Sequence, residues 1–329
     1  MTRKVTSVIH FMRRCLLTGL FMCLAGHAGA ETYPSKPITL VVPFAPGASA
    51  DGIARLIGKE LSQSLGQAVV VENKAGAGGA LGLIAVSKST PDGYTIGLGA
   101  TGAIAVNPHL PDAPPLNPQK DLQPLIKLAD IPLVFVASTA SGFGNVQAVI
   151  REARKNPAGV SCANSGQYTS QHLAAELLAS LSQSRLVAVP YRGSGPAVTD
   201  VLGGNVPTAM VDLTSAYPHI KSGKLVALGL TSAVRSKVAP EIPTLAEEGV
   251  SGYAAPGWMG LFLPAKVPQE VSARLTSALA AIMAQPNVQA QITAMAAEPA
   301  YLDGPRFGQF IADESKKWSG VIARLSSAK

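Results

Sequence analysis

Side chains able to do covalent chemistry are sparse in this 329-residue chain and poorly arranged for it. His109, His172 and His219 lie far apart, and no H-x-x-x-H pair exists to seat a metal on one helix face. His172 falls in the first turn of an expected helix, where capping or packing suits it better than catalysis. Ser194 is flanked by Gly193 and Gly195, but the G-x-S-x-G elbow is missing, and a tight turn whose amides face a ligand accounts for the glycines. Gly47-Ala48-Ser49-Ala50-Asp51-Gly52 has phosphate-loop spacing, yet Ile53 and Ala54 stand where a lysine and a hydroxyl must reach phosphate and magnesium. Gly97-Leu98-Gly99-Ala100-Thr101-Gly102 matches G-x-G-x-x-G after a predicted strand, but Pro108 cuts the following helix off within two turns. Cys162 ends an apolar stretch with no base nearby and reads as a small core residue rather than a reactive thiol. Hydrolase, nucleotide and metal chemistry each lack a required part. No cofactor is expected, and the chain does not read as an enzyme.

What the residues do support is the binding of an anion. Ile38, Leu40, Val41 and Val42 form a near-continuous aliphatic run, the pattern of a parallel strand covered on both faces. Pro43, Pro46 and Gly47 end it, and Ser49 or Asp51 can cap a helix running to Leu65. Ile53, Leu56, Ile57, Leu61 and Leu65 recur at steps of three or four and predict one buried stripe. The helix N-terminus then opens at the strand's carboxyl edge, where its unpaired amides and positive dipole end suit a carboxylate.

The elements that must position such a site alternate along the chain. Strands are predicted at 68–72 and 94–98 with a helix at 80–89 between them, and the proline-rich stretch 107–124 is expected to wander over the surface. Ile131 to Ala137 is read as the crossing into a second lobe, built from helices at 145–155, 170–181 and 196–202 and strands at 160–163, 186–189, 208–212 and 225–231. Trp258 to Leu263 looks like the crossing back. Three amphipathic helices follow, the last carrying Phe307, Phe310, Ile311, Trp318, Val321, Ile322 and Leu325 as a stripe that should dock on the first lobe. The expected architecture is α/β with two lobes: residues 31–132 with 253–329, and 133–252.

The first thirty residues differ from the rest. Arg3, Lys4, Arg13 and Arg14 precede an apolar run from Cys15 to Ala25 and a small-residue Ala28-Gly29-Ala30 site, the pattern of a secretory leader cleaved after Ala30. The run is too short to span a bilayer. Without the leader, 23 basic residues face 20 acidic ones, a balance of +3. No dense basic stripe with interleaved aromatics remains, so nucleic acid is not expected as a partner. Only Cys162 would survive cleavage, which excludes an internal disulfide in the exported chain.

Several motifs stand out together: Val42-Pro43-Phe44-Ala45-Pro46-Gly47, Val70-Val71-Glu72-Asn73-Lys74, Pro91-Asp92-Gly93-Tyr94-Thr95, Val189-Pro190-Tyr191-Arg192-Gly193, Leu202-Gly203-Gly204 and Pro243-Thr244-Leu245-Ala246-Glu247. In this combination the chain resembles the Bug family, the TctC-like periplasmic solute-binding receptors of tripartite tricarboxylate transporters. The resemblance implies a type II, Venus-flytrap fold in the periplasm that holds a small organic acid between its lobes. A membrane transporter, or alternatively a sensing receptor, would be the partner. Carried over by position, the first-lobe site is Phe44, Ala45, Pro46, Gly47, Ala48, Ser49 and Asp51, joined by Thr101 and Asn107. The second lobe offers the stretch Ser165 to His172, with Ser165, Gly166, Gln167, Tyr168, Thr169 and His172 as its site residues, then Tyr191, Arg192, Gly193, Ser194 and Asp212. Arg192 either pairs with a carboxylate or lies along the surface. Asp212 either fixes a ligand amine or hydroxyl or caps the next helix. Two departures stand out: Ala48 replaces a second glycine, and Tyr168-Thr169 replace a glycine and serine common in the family, placing a ring that can stack on an aromatic acid or fill space beside a small one.

Overall fold

Strand β1 (Ile38–Val42) forms as its aliphatic run requires, and it lies parallel between β2 (Val69–Asn73) and β3 (Thr95–Ala100). The computed structural model describes residues 33–47, 49–110 and 112–327, so Ala48 and the expected leader lie outside the described residues. The chain from Lys36 onward is one compact unit. Helix α1 (Ser49–Leu65) buries Ile53, Leu56, Ile57 and Leu61 and exposes Arg55 and Lys59. Each of those side chains contributes about 1.5–3 kcal/mol by leaving water. Strand β2 is not the fully buried strand its valines suggest. It forms the sheet edge, and Val70 is 49% exposed.

After α2 (Ala80–Ser87) and β3, the chain makes a widened helical turn over Gly102–Val106. The proline-rich stretch does not wander to its end, because a short α3 (Pro118–Asp121) leads into β4 (Leu122–Ile131). Pro124 is accommodated at an irregularity in the pairing of β4 with a later strand, where one missing donor costs no regular ladder bond.

The chain leaves the first sheet between Ile131 and Leu133. Strand β5 (Leu133–Ser138) is buried throughout and centres a second core. There follow α4 (Val146–Lys155), β6 (Val160–Asn164), α5 (Ser170–Leu181), β7 (Leu186–Pro190), α6 (Ser194–Leu202), β8 (Thr208–Asp212), α7 (Leu213–Lys221) and β9 (Leu225–Leu230). The sheet order is β7-β6-β8-β5-β9, with β6 parallel to both β7 and β8. Val134, Val136, Val198, Val201, Val211 and Leu230 fill one of its faces.

The chain returns at β10 (Gly257–Pro264), which pairs antiparallel with both β3 and β4. Helices α8 (Gln269–Met283) and α9 (Pro286–Ala294) precede β11 (Glu298–Asp303), an edge strand the polar sequence does not announce. Helix α10 (Gly304–Ser327) docks on the first sheet by its predicted stripe: Phe307 and Trp318 are fully buried, and Phe307 meets Trp258 edge-on with ring centroids 5.4 Å apart, while the side chain of Leu325 lies outside the described residues. Among the described residues no helix is long and apolar enough to cross a membrane.

Candidate functional site

The carboxyl ends of the parallel strands in both sheets converge on one cleft, as expected where strand-to-helix loops gather at the end of an α/β sheet. From the first lobe, β1 delivers Phe44 and the start of α1, with Ser49 and Ala50; β3 delivers Ala100 and Gly102. From the second, β6 delivers Ser165 and the N-terminus of α5 with Thr169, Ser170 and Gln171, while Gly193 and Ser194 open α6 and Asp212 ends β8. Strand β10 runs antiparallel, so its beginning lies at the same edge and contributes Gly257, Trp258 and Met259. The enclosed centre has a cavity volume of about 20 Å³, room for little more than one water molecule. An adjoining chamber of about 290 Å³ leads outward past Pro43, Gly76, Gln167, Tyr191 and Arg192.

Direct bonds join the lobes around this cleft. Ala45 N–H donates to the Arg192 carbonyl at 3.2 Å, and the Ser49 hydroxyl donates to Asp212 Oδ2. The loop 167–170 lies flush on first-lobe glycines: a methyl group on Gly102 would sit 2.8 Å from Thr169 Cα, and one on Gly78 2.6 Å from the Gln167 carbonyl.

Asp212 is 3% exposed. Its Oδ1 accepts from the Gln171 side-chain amide, its Oδ2 from Ser49, and its backbone N–H donates to Ser194 Oγ at 3.1 Å. Ser194 Oγ also shares a hydrogen bond of 2.7 Å with Ser165 Oγ. Burial raises the Asp212 carboxyl above the usual aspartate range, against the opposing pull of the hydrogen bonds from Ser49, Gln171 and Ser194. Although Asp212 occupies the N-cap position of α7, its side chain makes no capping bond. The capping alternative for Asp212 is therefore wrong, because Ser49 and Gln171 hold the carboxylate in the cleft.

Asp51 has the opposite role. Its carboxylate takes Gly47 N–H at 3.0 Å, Arg55 Nε at 2.9 Å and Asn73 Nδ2 at 2.9 Å, all from the first lobe. Burial opposes its charge, yet these donors, Arg55 foremost, hold it below the ordinary value. Asp51 thus shapes the loop, pinning Gly47 at φ 79°, a left-handed angle that favours glycine. It does not line the enclosed cleft.

Other expected residues are distributed unevenly. Ala45, Pro46 and Gly47 belong to the loop that meets the second lobe, and Gly195 approaches the Gly47 carbonyl. Thr101 is fully buried beneath the cleft, where its hydroxyl accepts from Trp258 N–H at 2.9 Å and ties β3 to β10. Asn107 is buried and lines neither the enclosed centre nor the outer chamber, and its side-chain amide finds no hydrogen-bond partner. Gly166 and Gln167 line the outer chamber with Tyr191 and Arg192. The Arg192 side chain is exposed. Tyr191 donates its hydroxyl to Asp200, and burial together with that carboxylate pushes its phenol up to about 12. Thr169 caps α5 by accepting from His172 N–H at 3.3 Å, and His172 Nδ1 in turn accepts from Tyr168 N–H at 3.3 Å. The Tyr168 ring meets His172 edge-on at 6.3 Å, so it is the Tyr168 backbone that faces the first lobe. Cys162 is fully buried, and burial pushes its thiol up to about 12. Among the described residues no group of three or more His, Cys, Asp or Glu is placed to hold a metal.

Residues 53–326 match the model of the tripartite tricarboxylate transporter family receptor, TctC. The chain belongs to this family. It is 35% identical to BugT of Bordetella pertussis over 325 residues, covering 98% of this chain and 99% of that one. Among solved structures, Rpa4515 of R. palustris with adipate superposes with a TM-score of 0.85 at 29% identity, covering 89% and 98% of the two chains. MatC of Rhodopseudomonas palustris with bound malate gives 0.81 at 28% identity, covering 88% and 100%. The fold is accordingly the two-lobed fold of periplasmic binding proteins. In this TctC-type chain, Tyr168 itself carries a backbone cost. Its φ is 66°, in the left-handed region where glycine is at ease and a bulky side chain is strained by about 1–2 kcal/mol.

Sequence reasoning left out Gln171, Gly102 and Trp258 as individual site residues. Gln171 was discoverable as the second residue of a helix whose N-terminus faces the cleft. Trp258 required knowing that β10 enters the sheet antiparallel, which sequence periodicity does not encode.

Proposed function

We propose that this protein is a periplasmic solute receptor that closes its two lobes on a small organic acid and presents it to the membrane subunits of a tripartite tricarboxylate-type transporter. It acts by binding alone and is no enzyme. The observation that carries this reading is the cleft itself, where the N-terminus of α1 with Ser49 faces Ser165, Gln171, Ser194 and Asp212 across the lobes. Hydroxyls, amides and a helix N-terminus are the groups that replace the hydration of a carboxylate without covalent chemistry. The malate and adipate held by the two R. palustris relatives support the same ligand class. Export with cleavage after Ala30 would deliver the chain to the compartment where such receptors work. Phe44 and the loop to Ser49, the turn Tyr191 to Ser194 and the segment Ser165 to Thr169 would surround the ligand, with Arg192 at the outer chamber.

The test is a thermal-shift screen of the mature chain, residues 31 to 329, unfolded and refolded to strip carried-over ligand, against a panel of carboxylates. An acid at about 100 times its dissociation constant adds roughly 2.7 kcal/mol of stability. If a refolded sample with native circular dichroism is stabilised by none of them, the receptor reading is wrong.

A further inference from the structure

Among the described residues, two carboxylates accept hydrogen bonds across the lobes: the half-buried Glu298, from Ser236 and the Lys237 N–H, and the buried Asp212, from Ser49, and only Asp212 lines the cleft. The bond between Ser49 and Asp212 also defines what each wall of the cleft asks for. The first-lobe wall, with the Ser49 hydroxyl and the N-terminus of α1, offers donors. The second-lobe wall offers an acceptor, because Asp212 Oδ1 is held at home by Gln171 while Oδ2 is directed across the cleft. Among the described residues that line the enclosed centre, Asp212 alone is charged; Arg192 lines the outer chamber.

We infer that Asp212 sets the ligand's chemical class: an acid that carries, near its carboxylate, a hydrogen-bond donor such as a hydroxyl or ammonium group. This rests on the receptor reading given above and narrows it. When the lobes part to admit a ligand, Ser49 and Asp212 Oδ2 both lose their partner. A hydroxy or amino acid restores both, giving its carboxylate to Ser49 and the α1 amides and its donor to Asp212. A plain carboxylate can satisfy only the first wall. It leaves Oδ2 without a donor in a buried site, or brings a second negative charge beside Asp212 with no lining cation to offset it. Sites built to bond a substrate hydroxyl or amine discriminate strongly against analogues that lack it, since the site's own polar group is then stranded.

The experiment compares matched acids by isothermal titration calorimetry on the refolded protein: succinate with malate and aspartate, glutarate with 2-hydroxyglutarate and glutamate, adipate with 2-hydroxyadipate, phenylacetate with mandelate. Within the set that binds, the donor-bearing acid should bind at least about tenfold more tightly than its plain analogue, as expected for a hydrogen bond to a charged group. In Asp212→Asn that preference should collapse, with the ammonium-bearing acids losing more than the hydroxy acids. A merely structural role for Asp212 would instead weaken all acids alike. Equal affinity for plain and donor-bearing acids in the wild-type protein overturns the inference while leaving the receptor reading intact, and needs no variant to fold. Binding of no acid in the panel defeats the receptor reading, and this inference with it.

Discussion

Asp51 and Asp212 are both buried carboxylates at strand-to-helix turns, yet their surroundings drive them in opposite directions. Asp51 is surrounded by donors of its own lobe, and its carboxyl stays ionised to lower pH than in the unfolded chain. Its contribution to stability is therefore complete above the ordinary value of 3.8 and is lost as pH falls through the lower folded value. Asp212 has the reverse sign: folding raises its pKa, so the native state holds the proton longer and stability declines as pH rises from 3.8 through the raised value. Urea unfolding between pH 3 and pH 7 should show Asp51→Asn costing about 1–3 kcal/mol at neutral pH, with the deficit shrinking below pH 3.8. Asp212→Asn should instead gain on the wild type as pH rises. Parallel pH profiles for the two variants would contradict the assignment of one carboxylate to loop structure and the other to the cleft. The sequence places both acids near strand ends, but which donors reach each depends on folding. Ser49 and Asp212 are 163 residues apart.

At the scale of elements, what was readable in advance follows from pattern strength. Strand β1, helices α1 and α5 and strand β8 end where the sequence predicts, because each has a clean hydrophobic period and a clear stop. Strands β4 and β11 were not readable. Pro124 speaks against a strand, and Glu298, Pro299 and Asp303 carry no strand pattern; both elements exist because β10 and the sheet edge supply partners. Helix α10 shows how one apolar stripe can hide different polar needs. Trp258 Nε1 donates to Glu314 of α10 at 3.2 Å, whereas Trp318 Nε1 is buried with no acceptor. Phenylalanine removes a similar volume at either site, so the difference between the two variants isolates the N–H. Trp258→Phe should cost about 1–3 kcal/mol more than Trp318→Phe in urea unfolding, since only the former strands a carboxylate oxygen. Equal losses would mean that volume alone matters at these positions.

The described residues form two sheets joined by neighbouring crossings at Ile131–Leu133 and Ala255–Gly257, and the proposed ligand capture depends on how closely the lobes approach. Gly102 gives a way to test closure separately from folding. It lies at the start of a helical turn and is absent from the glycines with left-handed angles, so its own backbone does not require glycine. Alanine there would be neutral or would stabilise the first lobe by up to about 1 kcal/mol. The second lobe is the obstacle: a methyl at this position would meet Thr169 Cα at 2.8 Å, the Tyr168 carbonyl at 2.9 Å and the Ser170 nitrogen at 3.1 Å. These are backbone atoms of a capped and strained loop and cannot turn aside as a flexible side chain would. Gly102→Ala should thus leave the thermal midpoint of the ligand-free protein unchanged or raised. Affinity for the best acid of the panel should fall by about tenfold or more, roughly 1.4 kcal/mol, and the ligand-induced contraction seen by small-angle X-ray scattering should shrink. A variant that binds and contracts like the wild type would show that the lobes do not need this glycine contact to hold their ligand. A variant destabilised without ligand would assign the glycine to the packing of its own lobe instead.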